Sequence, residues 1–131
     1  MTNLGKKLPL LLAGLLVIVP AFSQSEEDLD KAMKIVGKTM GELRKANEAK
    51  DEAALKAGGA TLVEQFMIAA KFFDSHKMTE ASEMNAKTIS AAKALADGSG
   101  TIAGVGATCK GCHDQYREKL ADGSYKTKMS H

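Results

Sequence analysis

"GATCKGCHDQYREKLAD", residues 106–122, contains both cysteines of the chain and one of its three histidines. No proline interrupts it, and it ends in strong helix formers, so it reads as part of a helix. On a helix Cys109 and Cys112 stand at i and i+3, and His113 at i+4 from the first cysteine, which puts all three on one face. The triplet stands near the end of the chain, with only the residues up to His131 after it. Any fold that encloses it must therefore be built from residues that come before.

Those residues read as helices. From residue 24 onward there is no proline and no strand-like alternation, while Ala, Lys, Glu, Leu and Met are abundant. The spacing predicts a first helix over Glu26 to Ala49, with Leu29, Ala32, Met33, Val36, Met40 and Leu43 on one stripe and an acidic, cap-like start at Ser25, Glu26 and Asp28. A second is expected over Asp51 to Phe73, with Leu55, Leu62, Phe66, Ala69 and Phe73 facing inward. Gly58 and Gly59 each weaken it by about 1 kcal/mol relative to Ala and mark a kink or a close helix approach.

"DSHKMT", residues 74–79, breaks the pattern, and Thr79 with Glu80 and Glu83 opens a third helix to Ala96, striped by Ala81, Met84, Thr88, Ala91 and Leu95. After "DGSG", residues 97–100, a fourth is expected over Thr101 to Ala121, showing Ile102, Val105, Cys109, Cys112, His113, Tyr116 and Leu120 on one side. The tail "DGSYKTKMSH" reads as frayed. Four amphipathic helices with short connections predict an all-α domain, an antiparallel up-down-up-down four-helix bundle in which the first and last helices are neighbours.

The opening segment differs in kind. Lys6 and Lys7, the apolar run Leu8 to Val19 and Ala21-Phe22-Ser23 have the order of a secretory signal, with cleavage expected after Ser23. The run is shorter than the roughly 20 residues that span a bilayer; an uncleaved anchor is the alternative. On this reading residues 1–23 are a signal peptide and residues 24–131 one small domain in the periplasm, without stable membrane insertion after cleavage. The chain carries 18 Lys and Arg against 16 Asp and Glu, and two of those lysines lie in the leader. The remainder is balanced, with no basic run suited to nucleic acid.

Export implies an oxidising compartment, where a Cys109–Cys112 disulfide must be weighed. A thioredoxin-like pair would come with a βαβ pattern, which is missing, and a zinc site needs four ligands where the cluster supplies three. Covalent c-type haem attachment uses all three residues: two thiols add to the two vinyl groups of one haem, and the imidazole of His113 reaches the iron as proximal ligand.

"CKGCHDQYREKL", residues 109–120, resembles the C-terminal signature of class II c-type cytochromes, the four-helix family of cytochrome c′ and cytochrome c-556. That signature is CxxCH followed by an aromatic, an Arg and often a Lys, positions held here by Tyr116, Arg117 and Lys119. "MKIVGKTM", residues 33–40, resembles the c-556 pattern in which a first-helix methionine fills the distal position. The resemblance implies Met33 as distal axial ligand, Met40 as haem packing and Arg117 as partner of a haem propionate. The helix ends support Met33 separately: at about 1.5 Å per residue, Met33 and His113 fall near one level on antiparallel helices, while Met40 is displaced by about 10 Å. Against this stands the ordinary role of a stripe methionine as core filler.

Tyr116 falls on the side of the triplet, where it packs on the haem or in plain core. Phe66, Phe73, Leu29, Val36 and Met40 are candidates for the pocket wall, with bundle core the competing role. Lys34, Lys38 and Lys110 could form a docking surface or be merely solvated. His76 and His131 read as solvated, and Met67, Met78, Met84 and Met129 as packing or surface. The functional expectation is electron transfer by one haem c, with redox proteins as partners, as a monomer or homodimer and without enzyme activity. The alternative is a pentacoordinate module of the cytochrome c′ kind that binds NO or CO.

Overall fold

The computed structural model describes residues 25–128. The expected leader over residues 1–23, Met129 and His131 lie outside them. Four helices follow in order: α1 Glu26–Glu48, α2 Glu52–Ser75, α3 Thr79–Asp97 and α4 Ile102–Tyr116. Two short strands come last, β1 Arg117–Lys119 and β2 Tyr125–Thr127.

Local chemistry sets most of the helix starts. The Ser25 hydroxyl accepts from the Asp28 N–H at 3.1 Å while the Asp28 carboxylate accepts from the Ser25 N–H at 3.1 Å, a complete capping box. Asp51 accepts from the Ala54 N–H and Thr101 from the Gly104 N–H, each at 3.0 Å. Such caps satisfy N–H groups that the first turn leaves without partners, and each contributes about 1 kcal/mol. Gly98, at φ +86°, ends α3 in the left-handed conformation that costs glycine least.

Side-chain contacts fix the topology. Gly58, early in α2, lies against Leu43, late in α1, and Gly59 lies against Leu95 and Ala96 at the end of α3. Gln115, late in α4, donates to Glu80, early in α3, at 3.0 Å. Each adjacent pair therefore runs antiparallel, the expected up-down-up-down order. The two glycines are close-approach positions: a Cβ on Gly59 would stand 2.6 Å from the Ala96 backbone nitrogen. Helix α2 runs unbroken through both.

The core divides into two clusters. Leu29, Ala69, Phe72, Phe73, Met78, Ala81 and Tyr116 form one, and Val36, Leu43, Leu62, Phe66, Ala92, Leu95 and Val105 the other. Met33 packs against both. Helices α2 and α3 are in the most intimate contact, whereas α1 and α4 barely touch. Among the described residues no helix is long and apolar enough to cross a membrane.

Two expectations need correction. Helix α4 stops at Tyr116 rather than Ala121, and the tail through Thr127 is an antiparallel hairpin pairing Arg117 with Thr127, Glu118 with Lys126 and Lys119 with Tyr125. The domain is mostly helical, four helices followed by a small β-hairpin. The cause is the Asp122-Gly123 turn: Asp122 accepts from the Ser124 N–H at 2.9 Å, Gly123 takes φ +86°, and the Leu120 N–H reaches the Ser124 carbonyl at 2.8 Å. Pairing across that turn overrides the helix propensity of Arg117 to Leu120.

Candidate functional site

Helix α4 buries little of its inner face. Val105 and Tyr116 are buried, at 0% and 5% exposure, but Cys109 and Cys112 between them are only partly covered and His113 is exposed. The three face a solvent-open cleft of about 130 Å³. This cleft occupies the seam that α1 and α4 leave open, between the two core clusters.

Each element contributes a wall. Helix α1 brings Leu29, Met33 and Val36, α2 brings Phe66 and Phe73, and α3 brings Asn85 and Thr88. The hairpin closes one side with Arg117, Tyr125, Lys126 and Thr127. Met33 and the Cys109–Cys112–His113 triplet therefore line the same space. The expected levelling of Met33 with His113 assumed a longer α4, yet both still border the cleft, which extends from Glu26 to Val36 along α1.

Met40 does not line it. That residue packs beside Val36 and Leu43 in the second cluster. Tyr116 lines the cleft and belongs to the first cluster as well. Lys34, Lys38 and Lys110 are each in i,i+4 pairs, with Asp30 at 2.8 Å, Glu42 at 3.9 Å and Asp114 at 2.5 Å. His76 caps α2 with its Nδ1 2.8 Å from the Phe72 carbonyl, and Met67 is exposed while Met78 is core.

Burial favours the uncharged form of all three groups. Burial pushes both thiols above the ordinary range, and Cys112 is raised further by Cys109 beside it. Although His113 has surface open to solvent, the surrounding walls depress its imidazole, with Arg117 adding to this and Asp114 opposing it. A neutral imidazole keeps a nitrogen lone pair for a metal. Both cysteines are free thiols.

At the rim, most charges are already engaged. Glu26 accepts from the Thr127 N–H at 3.2 Å, Asp30 pairs with Lys34, and Lys126 turns its ammonium to Glu118 at 3.7 Å. Arg117 stands apart: its guanidinium lies 3.6 Å over the Tyr125 ring and makes no ion pair among the described residues. The donor set suits a haem, with two thiols, an imidazole, a thioether across an apolar space and one unneutralised cation at the edge. No three His, Cys, Asp or Glu side chains among the described residues gather to hold a bare metal ion.

Several lining residues escaped the sequence reading. Asn85 is buried and donates to the Phe66 carbonyl at 2.8 Å, although the apolar stripe pointed to Met84. Tyr125 and Thr127 enter only because the tail folds back, for which "DG" at 122–123 was the available signal. Comparison of the chain with family models, with curated proteins and with solved structures gives no match.

Proposed function

We propose that this chain is an exported, periplasmic electron carrier holding one covalent haem c, a class II c-type cytochrome of the c-556 kind. The observation that carries the reading is the meeting of Cys109, Cys112 and His113 with Met33 on one cleft between two apolar clusters. The bound group would supply an iron couple that gains and loses one electron.

The remaining work falls to the chain's own side chains. Cys109 and Cys112 fix the group to α4 through thioethers, so that a small bundle cannot lose it. His113 and Met33 would be the two side chains that ligate its iron, which suits a carrier rather than an enzyme. A thioether ligand raises the potential relative to a second nitrogen. Leu29, Val36, Phe66 and Phe73 act in the same direction, because apolar walls penalise the extra charge of the oxidised state. Arg117 is the partner of a haem carboxylate.

The test is a visible spectrum of purified, exported protein, oxidised and reduced, with and without CO, together with its mass under denaturing conditions. One haem of added mass and a low-spin spectrum indifferent to CO are expected. Colourless protein with free thiols or a disulfide would remove the haem reading. A high-spin spectrum that CO alters would remove only the Met33 ligand and leave the gas-binding alternative.

A further inference from the structure

The hairpin does more than end the chain. It crosses the open seam: the Lys128 N–H returns to the Tyr116 carbonyl at 2.7 Å, and the Thr127 N–H reaches Glu26 on α1. Side chains alternate along a strand, so Arg117, Tyr125 and Thr127 share one hairpin face with Lys119, and Glu118 and Lys126 take the other. The first three line the cleft, while Lys126, which also borders it, sends its charge back to Glu118. Among the described residues, Arg117 is thus the cleft-lining cation of the hairpin that makes no ion pair.

How Arg117 is held matters chemically. Stacking on Tyr125 occupies the flat face of the guanidinium and none of its N–H donors, which lie in the plane. The fork therefore remains whole for a bidentate carboxylate. Without a ring beneath it, a long arginine side chain on a two-stranded hairpin samples many rotamers, and binding must order them.

We infer that Tyr125 is a positioning residue that presents the Arg117 fork to a carboxylate of the bound group at the edge of the cleft, with the hairpin as the strap that brings it there. This rests on the haem reading of the cleft. It adds a residue and a segment lying beyond the helices and the CxxCH motif.

The experiment uses the full mature chain carrying Cys109→Ala and Cys112→Ala, so that binding is reversible. Affinities are measured for haemin and for its dimethyl ester, and the preference for the free acid is the readout. A general loss of structure weakens both ligands alike, whereas a carboxylate contact moves only their ratio.

Arg117→Gln should lower the preference by about fivefold, the upper end for an exposed ion pair. Tyr125→Ile keeps strand propensity but removes the π face, and should lower it by about threefold; Tyr125→Phe should retain it. An unchanged ratio in Tyr125→Ile, or its loss in Tyr125→Phe, overturns the role of Tyr125. Equal binding of acid and ester by the parent chain overturns the carboxylate contact while leaving the haem site standing. A parent chain that binds neither removes both.

Discussion

Replacing Met33 by leucine separates its two possible roles. Met33 is partly buried at the meeting of both core clusters, so as filler it contributes to stability whatever else it does. Leucine conserves the volume and removes the thioether; volume-conserving swaps cost under about 1.5 kcal/mol. For a domain near 100 residues, 1 kcal/mol corresponds to roughly 4–8 °C in Tm, so the Tm of Met33→Leu should fall by no more than about 12 °C. Met33→Ala leaves a void; with the side chain only partly covered, its cost should lie near the lower end of the core range, about 2 kcal/mol.

Ligation follows a different order. If Met33 holds the iron, both variants lose the low-spin spectrum and gain CO binding to the same degree, because both lack sulfur. If Met33 is filler, the spectrum ignores both, and only the alanine variant melts markedly earlier. The assay is therefore paired: Tm for each variant, and absorbance of the oxidised and CO-treated reduced forms. A leucine variant that stays low-spin and indifferent to CO refutes the assignment.

Two further outcomes concern the scaffold. Gly59→Ala should destabilise by about 1–3 kcal/mol despite the better helix propensity of alanine, since the new Cβ would meet the Ala96 backbone at 2.6 Å; an unchanged or higher Tm would show that α2 and α3 can move apart freely. The Asp28 carboxyl is held below its usual range chiefly by the Ser25 N–H, then by the Ser25 hydroxyl. Its contribution is present above the ordinary carboxylate pKa and lost as pH falls through the depressed value. The Tm gap between wild type and Asp28→Asn should therefore be full at neutral pH and close in acid, and a gap constant with pH would contradict the capping-box account.

What was legible in the sequence was what neighbouring residues decide. The starts of α1, α2 and α4 follow from Ser25, Asp51 and Thr101, whose side chains act within three residues, and the break before α3 from "DSHKMT". The shared face of Cys109, Cys112 and His113 follows from the helical period alone. The end of α4 was not legible by propensity, because Arg117 to Leu120 are good helix formers drawn into a hairpin by residues 122–127. Asn85 was missed because periodicity counts apolar residues, whereas this one is buried by a bond to α2. Met33 and Met40 occupy one stripe, yet only the first faces the cleft, since that depends on where α1 and α4 separate.

That separation bears on the proposed role of Cys109, Cys112 and His113 on α4. This helix carries Gly104, Gly106 and Gly111, each costing about 1 kcal/mol of helix propensity relative to Ala. At Gly106 and Gly111 an added Cβ would meet nothing within 4 Å, so no close approach offsets the cost. Of its side chains only Val105 and Tyr116 are buried. Helix α4 is therefore the helix with the least hold of its own, joined mainly to α3 and scarcely to α1. A group bonded to Cys109 and Cys112 and pressed against Leu29, Met33 and Val36 would supply the missing contact between α1 and α4. Whatever binds the folded cleft and not the unfolded chain stabilises the fold by mass action, and a covalent link makes that gain permanent. On the proposed reading, the open seam would make room for a flat ligand and its anchors would stand on the helix that gains most from being held.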